Sequence, residues 1–381
     1  MWEVALNKRV LFGNGKINET PEIIKHYNIK KTFIIAYDAN SQVLCGLKTL
    51  LDKSGIKFFI YDNVKKEPDL HVIDEGARLL IDENCDGVLG IGGGSVLDTA
   101  KVIAMLANNG GTIEEYQMGQ KSITRTTLPL ILIPTTSGTG SEATKVSVIY
   151  NNNNGLKKSV YSPYMIADIV ILDPQVTVNL PSNLTASTGM DALSHAIESY
   201  VSLNANDMTE MYSLKALELI NRSITKAVNC GDDINARGDM ILASYLAGCA
   251  LHAGIGIAHI IAQPIGGVYK IPHGDLCSIF LPLSMEANLE YSLKKYRKIA
   301  EKLGVEDKNL DDFDAANLGI ERVKEIRAQV FAPQSISSFI QASSFNMKNT
   351  LENIKKATGH IKCNPRPIDE KLLSEIIEKA F

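Results

Sequence analysis

Two patterns of apolar spacing alternate through the first 183 residues of this 381-residue chain, and beyond about Asn183 one of them disappears. Short apolar runs at Phe33 to Tyr37, Phe58 to Tyr61, Val88 to Ile91, Leu130 to Ile133 and Ile169 to Leu172 read as buried strands. Between them, stretches such as Ser41 to Lys53 and Asp69 to Asp82 carry helical periodicity. Such alternation predicts a mostly parallel sheet with helices on both faces. Later in the chain only long helical patterns remain. Turn residues cluster in LPSNLTAS at 180 to 187, so we expect an α/β domain over 1–183 and an all-helical domain over 184–381. That length is large for one core and ordinary for two. The run NNNNG at 151 to 155 reads as a hairpin or loop tip inside the first domain.

Composition narrows the class. A hydrophobic fraction of 45%, 22% charged residues and thirteen prolines describe a globular chain. A net charge of -4 offers no electrostatic footprint for nucleic acid or an anionic membrane, and neither is an expected partner. Cys45, Cys85, Cys230, Cys249, Cys277 and Cys363 show no CxxC spacing, and Glu3, Lys8 and Arg9 stand where a signal peptide needs an apolar core. A reduced, cytoplasmic setting is expected. The apolar stretch from Met240 to Val268 is interrupted by His252, His259, Gln263, Pro264 and five glycines, which predicts a buried central helix instead of a membrane span.

Two segments carry the chemistry of a polar cofactor. In DGVLGIGGGSVLDTAK a strand runs into Gly92 to Gly94, and Ser95 opens a helix. Glycines let a phosphate approach the backbone, and the positive end of a helix favours its charge. In LILIPTTSGTGSEAT a second strand runs into a turn carrying Thr135, Thr136, Ser137, Thr139 and Ser141, small hydroxyl residues beside glycines such as Gly138 that can line a polar cofactor without crowding it.

Asp191 and His195 in STGMDALSHAIESY sit four apart in a segment of helical period, so both project from one helix face. His259 and His273 follow in IAHIIAQPIGGVYKIPHG, where Pro264, Gly266, Gly267 and Pro272 are expected to break the path between them. One carboxylate and three imidazoles suit iron or zinc and leave positions open for a substrate oxygen. His252 precedes His259 by seven residues, which places it on the same face of a continuous helix, as a packed residue or a pocket residue. His26, His71 and His360 lie in surface-like contexts and receive no role.

Taken in order, GGGSxxDxAK, PTTxGTGSE, TGMDALSHAIE, His259 with PHG at 272 to 274, and CNPRP at 363 to 367 resemble the iron-containing, or group III, alcohol dehydrogenases over essentially the whole chain. The resemblance implies a dinucleotide-binding α/β domain followed by an all-helical domain, an architecture shared with dehydroquinate synthase, with the active site in the cleft between. It implies one divalent metal, iron(II) or alternatively zinc, on Asp191, His195, His259 and His273. Gly93, Gly94, Ser95, Val96, Leu97 and Asp98 then match one cofactor loop, Thr135 to Thr139 another, and Lys157 a cofactor-contacting lysine, with Lys158 beside it as the alternative.

The implied reaction is metal-activated hydride transfer between a small primary alcohol or its aldehyde and a nicotinamide, in a homodimer or larger homo-oligomer. The wording of VSLNANDMTEMYSLKALELI and PIGGVYKIPHG is nearest to the 4-hydroxybutyrate, butanol and propanediol branches. Asp38, ending the strand FIIAYD, can bond adenosine ribose hydroxyls and repel a 2′-phosphate, so NAD(H) is expected over NADP(H). Many members carry a further histidine four residues after the ligand equivalent to His259; here that position is Gln263, which cannot change charge as imidazole does. The catalytic group is therefore expected to comprise His259, His273, Gln263 and His252, with the proton relayed by cofactor ribose and water. A lyase of the dehydroquinate synthase type and a non-catalytic dinucleotide binder are the alternatives.

Overall fold

The computed structural model describes residues 2–64, 68–306, 309–356 and 361–381; His360 lies outside them. Eight strands are described: β1 (Arg9–Phe12), β2 (Lys31–Ala36), β3 (Lys57–Tyr61), β4 (Gly87–Gly92), β5 (Leu130–Pro134), β6 (Val146–Asn151), β7 (Leu156–Tyr161) and β8 (Ile169–Leu172). Six of them form one parallel sheet in the order β1-β8-β5-β4-β2-β3, and β6 pairs antiparallel with β7. Strands β4, β5 and β8 are buried along their whole length, which is why each reads as an unbroken apolar run. Asn151 ends β6 and Leu156 begins β7, so the asparagine run is a hairpin tip, with Gly155 in the left-handed region (φ 71°). Strand β1 escaped the sequence reading because it is four residues long and exposes Val10 and Phe12. Its pairing with β8, more than a hundred residues later, is what makes it a strand.

The helices of this first unit are α1 (Thr20–His26), α2 (Gln42–Lys53), α3 (Leu70–Asp82), α4 (Gly94–Asn109) and α5 (Ile113–Gln117). Ser41 caps α2 by accepting from the Leu44 amide, and Asp69 caps α3 by accepting from that of Val72. From β2 the chain moves outward to β3 and then crosses back to β4 on the other side of β2. The carboxyl ends of β2 and β4 therefore flank a topological switch point, the place where open parallel sheets bind ligands.

The second unit is helical: α6 (Ser182–Val201), α7 (Asp207–Asn229), α8 (Ile234–Ala250), α9 (Ile257–Tyr269), α10 (His273–Asn288), α11 (Leu293–Lys302), α12 (Asp312–Gln329), α13 (Met347–Lys356) and α14 (Glu370–Lys379). Helix α6 packs against α7, α8 and α10 and is buried from Gly189 to Val201, so even its polar residues lie inside. The two compact units divide between Val178 and Asn179, a few residues before the expected boundary, and Ser137–Thr139 and residues 2–4 group with the helical unit.

Two expectations for the central apolar stretch are corrected. It is not one helix: α8 with its 3-10 extension (Ile234–Ala253) and α9 meet at 104°, because Gly254 takes φ 93°. His252, in that 3-10 turn, therefore does not share a helix face with His259. Nor does Pro264 break α9, which continues to Tyr269; the break falls at Lys270, left-handed at φ 58°, just before Pro272. Among the described residues no single helix is long and apolar enough to cross a membrane.

Candidate metal centre and cofactor loops

Three helices bring the predicted ligands together. Asp191 and His195 lie one turn apart on α6, His259 lies in the first turn of α9, and His273 is the first residue of α10. The three imidazole Nε2 atoms surround one carboxylate oxygen, Asp191 Oδ1, at 3.9 Å for His195, 3.3 Å for His259 and 3.7 Å for His273. Donors bound tetrahedrally to a divalent ion at about 2.1 Å stand about 3.4 Å apart, so the spacing is that of a metal's ligand shell. Asp191 Oδ1 and His259 Nε2 are buried and make no hydrogen bond. Orphaned donor atoms of this kind are costly unless an ion satisfies them, and the residues present fit one. Asp191, His195 and His259 are buried, whereas 40% of the His273 side chain is exposed and marks the open side.

A second layer fixes the rings. Glu198, one further turn along α6, accepts from the amides of Gly256 (2.9 Å) and Ala258 (2.7 Å) and from His259 Nδ1 (2.6 Å). The carboxylate accepts only, so Nδ1 carries a hydrogen and Nε2 is the ring atom left to face the centre. His195 is held the same way, its Nδ1 3.3 Å from the carbonyl oxygen of Gly138. Close backbone approach makes this fit: a Cβ on Gly274 would fall 2.1 Å from Ser187 O, and one on Gly138 would fall 2.9 Å from Thr188 Cα.

Electrostatics follow the same plan. Burial raises the Asp191 carboxyl, but His195, His259 and His273 outweigh it and hold the group well below the usual carboxylate range. Burial lowers His195 to about 4 against the pull of Asp191, so this imidazole is neutral and ready to ligate. His259 behaves oppositely. Burial pushes it down, yet Cys277, Glu198 and Asp191 together raise it well above its ordinary value, so a metal bound here would have to displace a proton from this ring.

Two residues at the centre were not foreseen. Glu198 lies seven residues after Asp191 on the same helix face, and that periodicity was the available signal. Cys277 follows His273 by four on α10, repeating the spacing of Asp191 and His195 on α6. Its Sγ lies 3.5 Å from His273 Nε2. No CxxC spacing marks it in the sequence. Gln263, half-buried, lies one turn after His259 on α9. His252 is half-buried in the turn before α9.

In the α/β unit, Gly93 is the extended N-cap of α4 (φ -76°, ψ -178°) and has no side-chain cap, so Gly93, Gly94 and Ser95 present backbone at the positive end of a 16-residue helix. Val96 and Leu97 are buried in the core, which leaves only their backbones for a ligand. Asp98 accepts from Ser141 Oγ (2.5 Å) and the Val148 amide (2.9 Å) and pairs with buried Lys101, thereby tying α4 to the β6 hairpin. Thr135 and Thr136 follow β5, beside the glycine turn that follows β4. Ser137, Gly138 and Thr139 continue that loop within the helical unit. Asp38 lies two residues beyond β2, exposed, its Oδ1 accepting from the Asn40 amide at 2.8 Å. Lys157 is half-buried on β7 opposite Tyr150.

A buried carboxylate ringed by imidazoles in a helical unit and a glycine turn at the switch point of a parallel sheet are the parts of a metal- and nucleotide-binding enzyme class. Residues 7–174 match the family described as iron-containing alcohol dehydrogenase, and residues 185–381 match the C-terminal domain of the Fe-containing alcohol dehydrogenase family. The NAD-dependent methanol dehydrogenase of Bacillus methanolicus is 33% identical over 377 residues, 97% of each chain. The 1,3-propanediol dehydrogenase of Citrobacter freundii is 32% identical over 97% of this chain and 96% of its own. A solved 1,3-propanediol oxidoreductase superposes with a TM-score of 0.95 at 29% identity, covering 100% of both chains. The chain belongs to the iron-containing alcohol dehydrogenase family. Its relatives favour dehydrogenase chemistry over the lyase and the non-catalytic alternative.

Proposed function

We propose that this chain interconverts a small primary alcohol and its aldehyde with NAD(H), at one divalent ion held by Asp191, His195, His259 and His273, iron(II) in the first instance and zinc in the second. The observation that carries the proposal is the convergence of three Nε2 atoms on a buried carboxylate oxygen that makes no hydrogen bond. When bound, the ion supplies Lewis acidity toward the substrate oxygen and the nicotinamide supplies or takes the hydride.

The chain's own residues do the rest. Asp191 offsets the charge of the cation, Glu198 and Gly138 fix the ring tautomers of His259 and His195, and the exposed flank of His273 gives the side from which a small substrate enters. Gln263 donates and accepts hydrogen bonds and so orients a hydroxyl or water without itself changing charge. Gly93 to Ser95 bind the dinucleotide phosphates through backbone and helix end, with Val96, Leu97 and Asp98 building the turn. The loop Thr135 to Thr139 and Lys157 contact the remainder of the cofactor, and Asp38 bonds the adenosine ribose. A cytoplasmic homodimer or larger homo-oligomer acting on alcohols of the methanol to propanediol range completes the reading.

The test is loss of NADH absorbance with a panel of short aldehydes, using chelator-stripped protein before and after addition of iron(II) or zinc. Turnover that returns only with metal supports the proposal. Full activity of the stripped protein overturns it.

A further inference from the structure

We propose that Cys277 is a ligand of the metal at this centre, its thiolate joining Asp191, His259 and His273. The inference rests on the metal-centre reading above and adds a donor to the set that reading names. One donor atom from each of Asp191, His259, His273 and Cys277 lies within 4.8 Å of the other three, a four-donor cluster that does not include His195. Sγ stands 3.5 Å from His273 Nε2, and Cys277 is fully buried. Asp191 Oδ1 and His259 Nε2, both buried and without a hydrogen bond, belong to the same cluster.

Helix geometry explains the placement. His273 and Cys277 are one turn apart on α10, as Asp191 and His195 are on α6. Two helices thus each offer a pair of donors, and α9 adds His259. Among the three imidazoles, that of His195 has its Nε2 farthest from Asp191 Oδ1, at 3.9 Å. A metal–sulfur bond, at about 2.3 Å, is longer than the bonds to nitrogen or oxygen. As the bond forms, the S–H proton leaves to the buffer and no electron is transferred. A soft thiolate in an otherwise nitrogen and oxygen set moves the metal preference toward zinc and cobalt and away from manganese and magnesium.

Cobalt(II) reports thiolate ligation directly. Full-length protein, stripped with chelator and loaded with cobalt(II), should show a strong near-ultraviolet sulfur-to-cobalt charge-transfer band with one cobalt bound by elemental analysis. In Cys277→Ser the band should vanish while cobalt remains bound, and zinc affinity should fall by about tenfold or more. Cys363→Ser should leave the band intact, and Cys277→Ala serves if the serine variant does not fold. A wild-type protein that binds cobalt without the band, or a band that survives loss of Cys277, overturns the inference and leaves the metal-centre reading standing. Failure of the wild-type protein to bind cobalt overturns both.

Discussion

The glycine turn between β4 and α4 and the metal centre of the helical unit are built from opposite materials. The turn is one contiguous stretch, Gly92 to Ser95, that offers backbone; the nearest larger side chains, Val96 and Leu97, point into the core, and Asp98 is bonded to Ser141 and Val148. The metal centre is made of side-chain atoms from three helices, drawn from Asp191 to Cys277 and held by a carboxylate, Glu198, that the metal would not touch. A backbone site depends on what is missing at each position, since a Cβ on Gly92 would fall 2.6 Å from Val96 Cγ2. A side-chain site depends on which atoms are present and which way they face.

The largest effect should come from the centre of the side-chain site. Asp191→Ala removes the oxygen on which three imidazoles converge and the negative charge that balances the ion. Bound metal should fall to background and turnover by about a thousandfold or more, a transition-state loss of about 4 kcal/mol. NAD binding, measured by fluorescence titration, should be unchanged. If NAD affinity falls with the metal, the two regions are not independent and the comparison breaks.

Next in size is Glu198→Gln, which keeps shape but leaves the amides of Gly256 and Ala258 and His259 Nδ1 competing for one oxygen. Metal affinity should drop by about ten- to a hundredfold, as for other outer-layer partners of ligating histidines. The pH dependence gives the sharper readout. His259 has its pKa raised well above the ordinary value, with Glu198 among the causes, so through neutral pH the metal must displace a proton from it. Wild-type affinity should therefore weaken as pH falls, and this slope should flatten in the variant, whose His259 holds its proton less tightly. An unchanged slope would assign Glu198 a packing role only.

The same contrast decides how much was legible in the sequence. Strands β4, β5 and β8 and the capped helices α2 and α3 were readable because local patterns, apolar runs and Ser41 or Asp69 caps, determine them. The glycine turn was readable for the same reason. Asp191, His195, His259 and His273 were readable as residue types, and from the resemblance, but their orientation was not. Glu198 and Cys277 depend on the packing of α6, α9 and α10, since nothing local to HAIESY says that Glu198 meets an imidazole of α9, and nothing local to HGDLCS says that the thiol joins a cluster with Asp191 of α6 and His259 of α9. The angle between α8 and α9 was invisible because composition does not distinguish a bent apolar pair from a straight one. Strand β1 needed its distant partner β8.

A smaller effect tests the nucleotide side, where the exception to backbone recognition is Asp38. Its carboxylate closes a turn onto the Asn40 amide and is otherwise exposed just beyond the carboxyl end of β2. A 2′-phosphate brought near it would meet a like charge, whereas ribose hydroxyls would meet an acceptor. Wild-type protein should prefer NAD(H), and Asp38→Gly should shift the ratio of kcat/KM values toward NADP(H) by about tenfold, near 1.4 kcal/mol. Metal content should not move. Equal efficiency with both cofactors before mutation would remove Asp38 from the site.

The smallest effect is expected at Gln263, which tests whether a half-buried polar residue one turn beyond His259 belongs to the chemistry or only lines it. An amide cannot take up a proton near neutral pH, so its contribution should be that of one hydrogen bond, about 0.5 to 1.5 kcal/mol. Gln263→Ala should then lower kcat by about tenfold at most, with metal and NAD binding unchanged. A group that carried the proton would cost about a hundredfold or more. His252→Gln is the matched comparison, because His252 lies in the turn that leads into α9, off the helix that presents His259 and Gln263. It should also be mild. Gln263→His supplies an imidazole where the amide now stands, and it should add a limb to the pH profile of kcat near the ordinary histidine pKa, about 6.5. A hundredfold fall for Gln263→Ala with ligands still bound would place the amide on the proton path, and the metal centre would then extend one helical turn further along α9 than its donor atoms indicate.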